Sequence, residues 1–309
     1  MKKCLLISLL FLLLGCNTPS SQEPSLLSSD ITENELKINT VVLYLNYSAM
    51  PINKLVNGVL SSVDLYYEIE NESIAFIEND LAYPLLVGST DVYASMQDGT
   101  ETSFKINVRQ EQEFKFNVDV HTRVEQFGLN GVQDSPTLFW GDSFFDPNVF
   151  WRDFYTDFED LNCFTAGVSS SKASDWMFMR DRLIINYHPK NIVIHIGTND
   201  VNDSAYLSIN QYYDIITTTL DFIRLALPES NIYYLGIENR VNEAGAKNQY
   251  TTLVTEKIRD EYVFANFHYI DTPSIFNVNQ SKYMSGDNVH PSREGYLYYV
   301  ETLKGLITF

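Results

Sequence analysis

Three residues from two distant stretches of the chain have the types needed for an acyl transfer: Ser143, Asp287 and His290. That reaction needs a nucleophile, a base beside it, and donors for the charge that develops on the carbonyl oxygen. Ser143 is the candidate nucleophile. It closes the stretch Pro136-Thr137-Leu138-Phe139-Trp140-Gly141-Asp142-Ser143, in which an apolar run of strand character stops at a glycine and a hydroxyl follows two residues later. A buried strand delivers a nucleophile to the lip of a sheet in this way, and the glycine permits the sharp turn. His290 is the candidate base, because imidazole titrates near neutrality. Asp287 lies three residues earlier in the same loop and can accept a hydrogen bond from His290, fixing its tautomer. Pro291 suits the first position of a helix, which puts His290 in or beside that helix's cap.

Taken singly, each feature is ordinary. Gly-Asp-Ser is a common turn, and Asp142 and Asp200 read as residues that hold turns. His195 falls inside a strand and reads as structural or supporting. His121, His188 and His268 have no catalytic partner in the sequence.

The elements around these residues give them a common place. From Pro136 onward strand-like and helix-like segments alternate, the pattern of an α/β domain with a parallel sheet. Asn191 to Ile196, Asn231 to Ile237 and Phe267 to Ile270 read as strands. Ile209, Tyr213, Ile216, Leu220, Ile223 and Leu227 mark one face of a helix ending at Pro228. A second helix is expected from Ala244 to about Phe264, and Leu297, Val300 and Leu303 give a closing helix its apolar stripe.

Ligands of an open parallel sheet bind beyond the carboxyl ends of its strands. Gly141-Asp142-Ser143, Ala166-Gly167-Val168-Ser169, Gly197-Thr198-Asn199-Asp200 and Asp287-Asn288-Val289-His290 are all expected on that edge. These four blocks, in this order, resemble those of the SGNH (GDSL-type) hydrolases from Thr137 to the end of the chain. The resemblance implies a flavodoxin-like α/β/α sandwich with a five-stranded parallel sheet. It implies a serine-dependent carboxylic ester hydrolase using Ser143, His290 and Asp287, with no cofactor and no metal. It also implies an oxyanion hole made by the Ser143 N–H, the Gly167 N–H and the Asn199 side-chain amide. Two positions depart from the pattern. Phe144 stands where leucine is expected, and Gly167-Val168-Ser169-Ser170-Ser171 lacks a second glycine.

Ahead of this domain, residues 35–110 read as all-β. Val92, Ala94 and Met96 alternate with polar residues, as do Phe104, Ile106 and Val108, with Asp98-Gly99 between them as a hairpin turn. Val63, Leu65, Tyr67 and Ile69 alternate likewise, so a β-sandwich is expected. Tyr67 to Ile77, followed by Val87 to Val92, resembles the bacterial immunoglobulin-like group 2 domain, without its usual tryptophan and without a glycine turn near Asn79-Asp80. The resemblance implies a spacer or adhesion module. Residues 111–135 read as a lead-in to the domain at 136–309.

Residues 1–15 read as an export signal: Lys2 and Lys3 precede an apolar run, Leu5 to Leu14, too short to cross a bilayer. Leu13-Leu14-Gly15-Cys16 resembles the lipobox of bacterial lipoproteins, which implies lipidation of Cys16 and anchoring to the cell envelope outside the cytoplasm. Residues 16–34, rich in Ser, Pro and Glu, read as a tether. Of the remaining cysteines Cys4 leaves with the signal, and Cys163 reads as a small buried hydrophobe.

Loss of the signal removes two of the 21 basic residues and none of the 40 acidic ones, taking the net charge from −19 to −21. Such a chain repels nucleic acid and anionic membrane surfaces. An exported acidic protein with a spacer fits work on small-molecule or polysaccharide esters, O-acetylated carbohydrate first among them. A lysophospholipid or short-chain lipid ester is the alternative, and an inactive adhesion or carbohydrate-binding protein a further one. A metal-dependent phosphoesterase would need clustered His and carboxylate ligands, and only His290 shares a motif with a carboxylate. Phe144, Phe145, Trp151 and Trp176 are placed to line a sugar or acyl site, or to be core.

Overall fold

The computed structural model describes residues 35–307 apart from 39, 46–48, 53, 57–58, 62, 110–117, 130–135, 181–187, 204–207 and 243–244. The signal segment, Cys16 and the tether lie outside the described residues.

The amino-terminal part is all-β, as its alternation requires. Its strands are β1 (Leu36–Ile38), β2 (Val41–Tyr44), β3 (Met50–Pro51), β4 (Lys54–Val56), β5 (Val59–Leu60), β6 (Tyr66–Ile69), β7 (Ala75–Glu78), β8 (Leu81–Pro84), β9 (Gly88–Ser95) and β10 (Glu101–Arg109). They form three small sheets in the orders β1-β4-β5, β2-β10-β9-β6 and β3-β8-β7. Val92, Ala94, Phe104, Ile106 and Val108 are buried, as their period predicts. β7 and β8 form a hairpin whose two loop residues, Asn79 and Asp80, take φ of 51° and 59°. They adopt the left-handed conformation expected of a glycine turn, and short polar side chains tolerate it better than most. Asp80 then accepts hydrogen bonds from Tyr67 Oη at 2.7 Å and Lys54 Nζ at 2.6 Å, which tie the loop to two other strands.

Helix α1 (Val118–Leu129) occupies the stretch read as a lead-in. It is packed: Val120 and Val124 are buried, and Arg123 Nη1 lies 3.0 Å from Asp146 Oδ2. The carboxyl-terminal sheet contains β11 (Thr137–Gly141), β12 (Cys163–Gly167), β13 (Asn191–His195), β14 (Asn231–Leu235) and β15 (Phe267–Ile270). Its order is β12-β11-β13-β14-β15 and every pairing is parallel, the expected flavodoxin-like arrangement. Helices α2 (Phe154–Asp157), α3 (Ala173–Met179), α4 (Ile209–Ala226), α5 (Ala246–Glu261), α6 (Thr272–Phe276), α7 (Gln280–Tyr283) and α8 (Arg293–Leu306) cover it.

Two apolar layers sandwich the sheet because its strands alternate. Leu138, Trp140, Ile192, Ile194, Ile232 and Tyr234 pack with residues of α3, α4 and α5. Phe139, Val193, Tyr233 and Leu235 pack on the other face with residues of α2 and α8. The stripe of α8 differs from expectation: Leu297 is exposed, and Tyr296, Tyr299 and Leu303 face the core. The aromatic run Tyr296 to Tyr299 hides the period, since large rings occupy both faces. Phe144, Phe145, Trp151 and Trp176 are all buried, so none of them presents a surface for a sugar ring.

Candidate active site

Gly141 ends β11 at φ 151°, and a Cβ there would stand 1.8 Å from the His195 carbonyl oxygen. Only glycine lets the chain turn this close to β13. The Asp142 carboxylate then accepts the Phe144 N–H at 3.1 Å and caps a short 3₁₀ turn, Ser143–Phe145. That turn lifts Ser143 to the carboxyl edge of the sheet.

The second group comes from the opposite end of the domain. The loop between α7 and α8 is closed by Ser285 N donating to the His290 carbonyl at 2.7 Å and Ser292 N donating to the Tyr283 carbonyl at 2.7 Å. His290 Nε2 accepts the Ser143 hydroxyl at 2.8 Å, and His290 Nδ1 donates to Asp287 Oδ2 at 2.7 Å. The other Asp287 oxygen accepts the Val289 and His290 N–H groups, each at 2.9 Å, and the Ser285 hydroxyl at 2.6 Å. Burial opposes its charge, but the His290 N–H and Ser285 hydroxyl, with the other donors, hold the carboxyl well below the usual carboxylate range. Phe150 stacks on the His290 ring at 3.5 Å between centroids and fixes its plane. Pro291 is not the first helical residue: Ser292 caps α8 by accepting the Gly295 N–H at 3.2 Å, so His290 stands two residues ahead of the cap.

One of the expected donors already has a protein partner. The Gly167 N–H donates to Thr165 Oγ1 at 3.2 Å inside β12, so it is not turned to the site. Val168 N donates to the Gly141 carbonyl, Ser169 N to Asp146 Oδ2, Ser171 N to the Val168 carbonyl and Lys172 N to Asp175 Oδ2. Among the described residues, Ser170 thus carries the one main-chain N–H of 167–172 without a protein partner. It sits exposed at φ 68°, the conformation in which the absent second glycine would be at ease. Gly167 is required for a different reason, because a Cβ there would lie 2.2 Å from the Phe145 backbone. The Asn199 amide donates one N–H to the Ser171 carbonyl at 2.9 Å, which leaves its second for a ligand. Among the described residues, Ser143 N and Ser170 N have no protein partner and Asn199 Nδ2 keeps one N–H, so these three can serve as donors to a ligand.

Ser170→Gly tests the loop. Relief of the left-handed strain should leave kcat unchanged and raise stability by up to about 1 kcal/mol, read from thermal melts. A large fall in kcat would show that the serine side chain itself is used.

Several supports had no signal in a single motif. Asp146, fully buried, receives Arg123, the Ser169 hydroxyl at 2.5 Å, and the Ser169 and Asn148 N–H groups, joining the first and second blocks to α1. Asp200 accepts the Ala173 N–H through both oxygens, at 3.1 and 3.0 Å, and so holds the second block to the third. His195 is buried between Asp142 and Glu238, at 3.0 Å from each. Glu238 lies just past β14, on the same carboxyl edge as the four blocks, and that position was its only mark in the sequence. Cys163 is partly buried and its thiol is pushed up to about 12 by burial, which fits an unreactive role.

A family model described as "GDSL-like Lipase/Acylhydrolase family" matches residues 134–297, more than half of the chain. A second, described as "Hyaluronate lyase, N-terminal beta-sheet domain", matches residues 50–108, within the part expected to be immunoglobulin-like. Among solved structures, a GDSL-like lipase from Bacteroides thetaiotaomicron is 16% identical with a TM-score of 0.49, covering 60% of this chain and 95% of its own. A protein named for platelet activating factor from Streptococcus pneumonia is 15% identical with a TM-score of 0.51, covering 60% and 90%. A catalytic mutant of an acetylxylan esterase from Geobacillus stearothermophilus is 18% identical with a TM-score of 0.45, covering 56% and 94%. No curated protein matches the chain.

Proposed function

Since the chain belongs to the GDSL-like lipase/acylhydrolase family and is a hydrolase of ester bonds, we infer that Ser143, His290 and Asp287 carry its reaction on an O-acetylated carbohydrate outside the cell. The observation that carries the reading is the continuous chain from the Ser143 hydroxyl through His290 to Asp287, at 2.8 and 2.7 Å. Ser143 Oγ attacks the acyl carbon while His290 Nε2 takes its proton. The carbonyl oxygen gains charge among the Ser143 and Ser170 N–H groups and the Asn199 amide. His290 then returns the proton to the departing alcohol, leaving the acyl group on Ser143. A water molecule, deprotonated by His290, attacks the acyl-enzyme, and the carboxylic acid leaves as Ser143 recovers its proton. Asp287, ionised throughout, holds the imidazole in the tautomer with Nδ1 protonated and stabilises its cation.

The choice of substrate draws on the chain's organisation. An export signal with a lipidated Cys16 would place the enzyme on the envelope surface, and the β-rich part, as an immunoglobulin-like spacer, would extend it towards polymers. The loop that carries His290 faces solvent, with the Asp287 side chain 47% exposed, while Ser143 itself is 4% exposed. Esters of increasing acyl length, with release of acid measured for each, test the proposal. Acetyl esters of sugars should have the highest kcat/KM, with a steep fall by butyryl. A preference for long acyl chains or lysophospholipid would replace this substrate with a lipid ester.

A further inference from the structure

His195 takes no step in that reaction, yet it is fully buried at the end of β13, beneath the turn that carries Ser143. Its Nδ1 meets Asp142 Oδ1 at 3.0 Å and its Nε2 meets Glu238 Oε2 at 3.0 Å. Ionised carboxylates only accept, so an imidazole between two of them satisfies both only when both nitrogens carry protons. The remaining Glu238 oxygen accepts the Tyr299 hydroxyl from α8 at 2.5 Å. Phe144 lies flat on the imidazole, 4.0 Å between centroids and 17° between planes, with its other neighbour the catalytic His290 ring at 5.5 Å.

The geometry ties this cluster to the nucleophile. Asp142 N donates to the His195 carbonyl at 3.0 Å, while the Asp142 carboxylate accepts both His195 and the Phe144 N–H. The backbone on both sides of Ser143 therefore hangs from His195. A buried ion cluster contributes little net stability relative to apolar packing of the same volume. What it does supply is one fixed geometry, and here that geometry is the position of the Ser143 hydroxyl and N–H.

We propose that Asp142, His195, Glu238 and Tyr299 form a buried relay, with His195 as an imidazolium, that positions Ser143 for attack. His195 and Glu238 are positioning residues, since neither touches the ester; the assignment rests on the serine mechanism above. Burial works against the His195 charge, but Asp142 and Glu238 outweigh it and raise the imidazolium to about 10. Among the described residues, the other groups facing the two carboxylates are the phenols of Tyr212 on α4, Tyr234 on β14, Tyr269 on β15 and Tyr296 on α8. Burial pushes all four up, so they stay neutral. A raised folded-state pKa gives stability that is complete below the ordinary histidine value of 6.5 and lost as pH rises through about 10.

Two measurements on the full chain test the relay. The first is ¹⁵N NMR of histidine-labelled protein at about pH 8, where an ordinary histidine is neutral, with the His195 signals identified by their loss in His195→Gln. Both ring nitrogens should be protonated; a neutral tautomer overturns the proposal. The second is the kinetics of Glu238→Gln, which keeps the shape but removes a charge, and of Tyr299→Phe, which removes one oxygen. Glu238→Gln should lower kcat by about 10- to 100-fold, the scale of a small misplacement of reacting groups, with KM unchanged. Fluorophosphonate labelling of Ser143 should slow in parallel, and Tyr299→Phe should do the same more weakly. A lower Tm with kcat and labelling unchanged in both variants overturns the proposal. Failure of the serine mechanism is distinguishable, because then wild type would not be labelled at all, whereas the NMR result does not depend on turnover.

Discussion

Ser143→Ala and His290→Ala are each expected to lower ester hydrolysis by roughly 10⁴- to 10⁶-fold, and the double variant to be little worse than either. The two side chains form one device: without the imidazole the hydroxyl keeps its proton, and without the hydroxyl the imidazole has no proton to take. The 2.8 Å contact between them shows that both halves are already in register before substrate arrives. Asp287→Asn should cost less, because Asp287 orients His290 and supports its charge without touching the ester. The loop around it is held independently by the Ser285 and Ser292 N–H bonds. Steady-state kinetics of the three single variants and the double, together with fluorophosphonate labelling, provide the check. Wild-type turnover in Ser143→Ala, or losses that multiply in the double variant, would eliminate the serine mechanism.

Asn199→Ala should reduce kcat by ~10²–10³ while KM barely moves, the usual loss for one side-chain donor to an oxyanion. Its second N–H meets an oxygen that becomes strongly basic only in the transition state, so ground-state binding gains little from it. The Ser171 carbonyl, 2.9 Å away, fixes the amide in advance, which is why the donor needs no reorganisation when the charge appears. Removal of the side chain also leaves that carbonyl without this donor, so a modest fall in Tm should accompany the kinetic loss. A rise in KM with kcat preserved would make Asn199 a substrate-binding residue instead.

Ser143, Asp287 and His290 could be picked out of the chain as candidates because the constraints on them are local. A strand must end in a glycine to release Ser143, and Asp287 reaches His290 within a single loop, so residue type and spacing sufficed. The alternating strands and helices likewise determined a parallel sheet, since only that arrangement buries such segments on both faces. What the sequence could not decide was which backbone N–H points where. Gly167 ends β12 and Ser170 follows three residues later, and which of their N–H groups stays free depends on bonds to Thr165, Gly141 and Asp146 that only the folded chain forms. Gly167 is needed for its missing side chain against the Phe145 backbone and its N–H is already bonded to Thr165, while Ser170 carries the left-handed turn. The same holds for the buried relay. Asp142, His195, Glu238 and Tyr299 come from four segments with no common motif, and each has an ordinary local reading as a turn, a strand, a loop or a helix residue. Only the closing of β13 and β14 under the turn after β11, with α8 laid across them, brings two carboxylates, an imidazole and a phenol within hydrogen-bond distance. Hydrogen bonds and charges act over a few ångströms of space, and separation along the chain says nothing about that distance until the sheet has formed.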